Sequence, residues 1–170
     1  MNKIGRILRC ACVLLIANTS ILNYGVSAWK KSCVAKAFIA NQIVPDVVSK
    51  APSCLVSVRY PSGEVVNLGN ELTPKQTKDM PTVSYKADPA KFYTLAMIDP
   101  DVPSRADPKL REISHWLVGN IPGDVISSGE TLTAYLGPVP PKNTRLHRYV
   151  VLVYKQPKKI TFTEPRLDAE

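Results

Sequence analysis

The chain lacks several common functional signatures. It has no Gly-x-Ser-x-Gly elbow, so an α/β-hydrolase nucleophile has no signature here. It holds only two histidines, His115 and His147, and no close pair such as His-x-x-x-His. Two histidines and a carboxylate still match a facial-triad ligand set, but that set is common by chance. No apolar run approaches the roughly 20 residues of a membrane-spanning helix. Basic residues are scattered, as at Lys30-Lys31, Arg145/Arg148 and Lys158-Lys159, with no aromatic-interleaved stripe of the kind that tracks nucleic acid. There is no internal repeat, low-complexity tract or second-domain linker.

No acidic residue precedes Asp46. Lys3, Arg6 and Arg9 are followed by a short apolar block, Cys10 to Ala17, and by small residues at Val26-Ser27-Ala28. This pattern predicts a signal peptide over residues 1–28, cleaved after Ala28, and a secreted, extracellular product. A mitochondrial presequence and an uncleaved anchor are the rival readings; the compact apolar block and the Val-Ser-Ala site favour secretion. Residues 29–170 then form one domain with one core. Loss of Lys3, Arg6 and Arg9 takes the formal charge from +8 to +5, a mildly basic surface. The one Asn-x-Ser sequon, at Asn18, leaves with the signal. Of the four cysteines, Cys33 and Cys54 remain. Two readings stay open for them. One is a disulfide closing a loop of about 20 residues, worth roughly 3 kcal/mol in the chain-entropy model. The other is a pair of buried thiols.

Along the chain, Val34 to Asn41 reads as a short helix with Phe38 and Ile39 on its apolar side. Ile43 to Val48 is an apolar segment broken by Pro45. Leu55 to Tyr60 and Glu64 to Leu68 read as a hairpin across Pro61-Ser62-Gly63. Thr73-Pro74 is a candidate helix start, with Thr73 as N-cap. Strands are predicted over Thr82–Lys86, Phe92–Ile98, Ile113–Ile121 and Leu146–Tyr154. Ser127 to Glu130 reads as polar loop, and Gly137 to Pro141 as a rigid, proline-dense loop. Short strands, close turn signals and fifteen prolines predict an all-β sandwich with minor helical turns.

The candidate site is the corner Asp99-Pro100-Asp101-Val102-Pro103-Ser104-Arg105, at the end of an apolar strand. Two prolines stiffen it. With His115 and His147 brought to it, the first reading is an anion pocket. Imidazole N–H groups and a tyrosine hydroxyl would hold a phosphate, and the carboxylates would orient the rings. A metal site ranks second, and hydrolysis through Ser114 or Ser104 third.

Four separated motifs sharpen this. Asp99-Pro100-Asp101-Val102-Pro103-Ser104-Arg105, His115-Trp116-Leu117-Val118-x-Asn120-Ile121-Pro122-Gly123, Tyr135-x-Gly137-Pro138-x-Pro140-Pro141 and Leu146-His147-Arg148-Tyr149-Val150 together resemble the phosphatidylethanolamine-binding protein family. Ile43 to Val48 and Leu68 to Pro74 are similar to its animal members. The resemblance implies a large antiparallel β-sheet packed on a smaller sheet, with short helices. It implies a non-enzymatic, cofactor-free pocket for a phospholipid head group or another phosphorylated ligand. Asp99, Asp101, His115, Pro140, Pro141, His147 and Tyr149 would form it, with the Val139 backbone in the rim. Family members also act as regulators of proteases or kinases, and some insect members are described as odorant-binding. For a protein partner, the surface near Lys109 to Arg111 is the candidate. Three departures stand out: Arg145 replaces a common glycine, Ser114 replaces a frequent second histidine, and the family usually continues past the position of Glu170 with elements that close the pocket.

Overall fold

The structure, a computed structural model, describes residues 33–167. The expected signal peptide lies outside the described residues. Residues 33–40 form the helix α1. Six strands follow: β1 (Ser57–Arg59), β2 (Thr82–Ser84), β3 (Phe92–Asp99), β4 (Ile113–Pro122), β5 (Glu130–Thr133) and β6 (Val150–Lys155). β1 and β2 pair antiparallel, and a four-stranded antiparallel sheet runs β5-β4-β3-β6. The expected small sheet against a larger one is therefore present.

The two sheets close on one core. Val58, Tyr60, Val83 and Tyr85 meet Tyr93, Leu95, Met97, Trp116 and Val153. In β3 every second residue is buried, from Tyr93 to Asp99. That period of two is the pleat, and it aims Asp99 to the same side as Met97. A second cluster, built from Ile43, Val150 and Leu152, covers the other face of β6 under Phe38, Val47 and Val48.

α1 ends through a Schellman arrangement. Gln42, at φ 57°, takes the left-handed position. Its N–H donates to Ile39 O at 2.9 Å, and Ile43 N–H donates to Phe38 O at 2.7 Å. Phe38 and Ile43 share the second cluster, the apolar contact that accompanies this cap. The helix was expected to bury Ile39; instead Val34 is buried and Ile39 is 61% exposed. Val34 and Phe38, four residues apart, share the face that turns inward, and Ile39 lies off that stripe.

Several other boundaries differ from expectation. The returning hairpin strand is reduced to a bridge from Val65 to Arg59. The Asn70 side chain accepts from Asn67 N–H and donates to Val65 O, and so diverts the backbone groups a strand would use. Thr73 does begin a turn. Its hydroxyl accepts from Gln76 N–H while Gln76 Oε1 accepts from Thr73 N–H at 2.7 Å, a capping-box exchange. Glu130, expected in a loop, opens β5.

The tail returns to the sheet. Gln156 and Asn120 are both 4% exposed. Asn120 N–H donates to Gln156 Oε1, Gln156 Nε2 donates to Asn120 Oδ1, and Asn120 Oδ1 also accepts from Ile160 N–H. Further on, Leu167 bridges Thr133 in parallel, beside the edge of β5.

Candidate functional site

The apolar run of β3 delivers Asp99 to the corner with its side chain buried. β4 supplies His115 by an irregularity. Met97 pairs with Trp116 and Ile98 with Ser114, so His115 has no opposite residue and is the extra residue of a bulge. Bulges re-aim side chains, and this one buries His115 beside Trp116 rather than on the opposite face. His147 and Tyr149 do not lie on a strand. β6 begins only at Val150, because the Arg148 N–H that a ladder would use donates to Asp101 Oδ2 at 2.9 Å.

Asp99, His115, His147 and Tyr149 form one cluster. His147 Nδ1 donates to Asp99 Oδ2 at 2.7 Å, with both side chains out of solvent. His147 Nε2 lies 2.9 Å from Thr144 Oγ1, whose own proton goes to Pro141 O at 2.7 Å. Both ring nitrogens of His147 are therefore held, Nδ1 by Asp99 and Nε2 by Thr144. The ring is clamped between a carboxylate and a hydroxyl. His115 packs edge-on to Tyr149 at 5.1 Å between centroids, and His147 stacks on Tyr149 at 6.5 Å. Burial raises the Tyr149 hydroxyl above its ordinary value, and the charge of Asp99 and a hydrogen bond to it raise it further. The hydroxyl thus stays protonated and donates to Asp99.

His115 is oriented by backbone. Its Nδ1 donates to Leu136 O at 2.9 Å, and Leu136 N–H donates to His115 O at 2.8 Å. The expectation that the carboxylates position both histidines thus holds geometrically for His147 only. His115 Nε2 has no hydrogen-bond partner among the described residues.

Asp101 was expected in the pocket wall, and the structure turns it elsewhere. The residue is fully buried, and both oxygens are taken by Arg148 Nε and by the second guanidinium nitrogen at 2.5 Å. Burial pushes its carboxyl up, and the side-chain and backbone hydrogen bonds of Arg148 outweigh this, leaving it below the ordinary value. Asp101 N–H in turn donates to Asp99 Oδ1 at 2.8 Å. Sequence reading missed the centre of this network. Arg148 also pairs with Asp46 at 2.7 Å and caps the end of α1 by donating to Gln42 O at 2.8 Å. The signal was available in its basic side chain, one residue from His147, but Asp101 lies 47 positions upstream and Asp46 102.

Val139 is 65% exposed and Pro141 is exposed on the loop before β6. Pro140 instead lines a cavity of about 550 Å3 with His147 and Tyr149. The rest of that wall is mostly apolar and comes from α1, β1 and the segment around Leu72. Asp99, Asp101, His115, Val139 and Pro141 are not part of its lining. Ser114 Oγ bonds to Thr133 Oγ1 at 3.1 Å and not to a histidine. Among the described residues no group of three His, Cys, Asp or Glu is placed to hold a metal. Cys33 and Cys54 are half-buried and are not joined to each other. Lys109 pairs with Asp107 and Arg111 with Asp46 near the surface. No helix among the described residues is long and apolar enough to cross a membrane.

Residues 62–170 match the family model described as phosphatidylethanolamine-binding protein. A 26 kDa secreted antigen of Toxocara canis is 48% identical over 128 residues, which is 75% of this chain and 49% of that protein. A relative from Drosophila melanogaster is 37% identical over 127 residues, 75% of this chain and 60% of its own length. The chain thus spans about half to three fifths of these curated relatives. Among solved structures, a carboxypeptidase Y inhibitor complexed with its cognate proteinase superposes with a TM-score of 0.71 at 28% identity, covering 80% of each chain. A phosphatidylethanolamine-binding protein from Plasmodium vivax gives a TM-score of 0.61 at 30% identity over 71% of this chain and 69% of its own.

Proposed function

The chain belongs to the phosphatidylethanolamine-binding protein family, and we propose that it holds a phosphate-bearing head group at the His115–Tyr149–His147 cluster. The family supports ligand-binding and protein-interaction roles in general. The observation that carries the phosphate reading is the arrangement of the two imidazoles. His147 is buried and fixed by Asp99 and Thr144, and His115 keeps Nε2 unpaired while Leu136 holds the rest of the ring. His115 Nε2 is the ring nitrogen left for a ligand; carried as an N–H it would donate to a phosphate oxygen, with Tyr149 and the His147–Asp99 pair already fixed around it. The Asp99 and Asp101 oxygens are already occupied, so they support the site and do not meet the ligand's ammonium group.

A second reading has its own support. The inhibitor that superposes on 80% of this chain was solved with the proteinase it inhibits. A protein-binding role here would use exposed surface, such as Lys109 to Arg111, and would survive loss of the histidines. Secretion is the location we propose. The relative named a secreted antigen supports it, as does the apolar block from Cys10 to Ala17.

The test is a thermal melt with phosphorylethanolamine. The parent protein should melt higher with the ligand, and His115→Ala and His147→Ala should each lose the increment. No increment in the parent would refute the phosphate reading. Inhibition of a proteinase by a His115→Ala protein would favour the second.

A further inference from the structure

We infer that the cavity beside α1 takes the aliphatic chain of a single-chain amphiphile, and that Arg145 selects a net-negative head on it. This rests on the phosphate reading above and names the ligand class.

Three observations converge. The first is the wall. Val34 and Phe38 of α1, with Val56, Val58 and Leu72, give the cavity an apolar lining continuous with His147 and Tyr149. Its volume of about 550 Å3 falls within the range typical of small-molecule sites. A phosphate needs little of that space, and apolar walls favour hydrocarbon.

The second is charge. Arg105, Arg145 and Arg148 contribute to the lining, against one acidic residue, Glu71. Arg148 is consumed by Asp101 and Asp46, and Arg105 by Asn41 O and Gln42 Oε1. Arg145 is exposed and makes no ion pair or hydrogen bond with another described residue. It is the lining guanidinium left for a ligand, and its planar fork suits a phosphate or carboxylate.

The third is backbone. Arg145 sits at φ 66°, a conformation that side chains with a Cβ rarely adopt. It is held there between the Thr144 hydroxyl, bonded to Pro141 O and His147, and the corner at Asp101 that binds Arg148. Strain of this kind is a reason to look for function at the residue that bears it.

Calorimetric titration of the whole chain with glycerol 3-phosphate, myristoyl lysophosphatidic acid and myristoyl lysophosphatidylethanolamine, all below micelle formation, tests this. The anionic lipid should bind at least about tenfold tighter than glycerol 3-phosphate, since each buried methylene adds to affinity. Affinity should rise with chain length and then level off as the cavity fills. The anionic lipid should bind tighter than the zwitterionic one, and Arg145→Gly should remove that preference. Ala37→Trp, which places bulk in the lining, should shrink the advantage of the lipid over glycerol 3-phosphate. Equal affinity for glycerol 3-phosphate and the lipid overturns the chain site while leaving the phosphate reading intact. A head-group preference that survives Arg145→Gly overturns the role of Arg145. Chain-length-dependent binding without any binding of glycerol 3-phosphate supports the cavity and removes the phosphate-only reading. No binding of any of the three overturns both.

Discussion

Asp99 and His147, at the end of one strand and just ahead of another, meet at 2.7 Å with neither side chain open to solvent. The pair sits on the core side of the sheet, where β3 aims Asp99 by its pleat and Thr144 holds the far side of the imidazole. An amide in place of the carboxylate turns one acceptor oxygen into a donor, facing either His147 Nδ1 or Asp101 N–H. Asp99→Asn should therefore lower stability by about 1–3 kcal/mol, measured as a shift in the urea midpoint near neutral pH. A midpoint equal to the parent's would mean that the acceptor pair at Asp99 adds nothing to stability.

Arg148 ties the acidic corner and the end of α1 to the chain ahead of β6, through Asp101, Asp46 and Gln42 O. Its side chain is 10% exposed and its partner Asp101 is 0% exposed. Arg148→Met should cost about 3–5 kcal/mol, because it strands a buried carboxylate. The pH dependence has a definite sign. The Asp101 carboxyl is lowered in the fold from its ordinary 3.8, so its contribution is complete above that value and is lost as pH falls through the lower folded value. The gap between parent and variant should then be widest above about pH 5 and close as pH falls below 3.8. A gap that stayed constant over that range would assign the loss to packing alone.

The φ of 66° at Arg145 makes opposite predictions for two substitutions. Glycine adopts that conformation freely, and the gain of about 1 kcal/mol is offset by its greater freedom in the unfolded chain. Arg145→Gly should fall within about 0.5 kcal/mol of the parent or exceed it. Arg145→Val places a β-branched residue where it is an outlier and should cost more than about 1 kcal/mol. Chemical denaturation of both variants distinguishes the backbone effect from loss of the charge, which the two share.

Gln156 is the clasp of the tail. Its Oε1 accepts from Thr94 Oγ1 and Asn120 N–H, and its Nε2 reaches Asn120 Oδ1. Gln156→Ala leaves the buried Asn120 N–H without an acceptor and should cost about 1–3 kcal/mol. The same change should quicken trypsin cleavage after Lys158 or Lys159, because Ile160 is anchored through Asn120. Unaltered cleavage would place the anchor instead at the Leu167 bridge.

Much of the scaffold is written locally. The apolar runs from Phe92 and Ile113 form the two longest strands, and Thr73 and Gln42 mark a turn and a helix end through chemistry within a few residues. What is absent from local pattern is the pairing of distant polar groups. Alternation along residues 113–121 puts His115 opposite Trp116, and only the register against β3 shows the bulge that buries both. Glu130 looks like loop because its strand is an edge defined by β4. The Leu146–Tyr154 run reads as one strand, yet Asp101 takes the Arg148 N–H and delays β6 to Val150.

The sequence by itself determined the family, through four spaced motifs, and the residues that would be drawn together: Asp99, His115, His147 and Tyr149. Tertiary structure alone decided how the two carboxylates divide their work, with Asp99 serving His147 and Asp101 serving Arg148. A carboxylate two residues from another has the same propensity and the same charge. Which basic side chain it meets depends on packing between segments about fifty positions apart, and no periodicity or local rule records that.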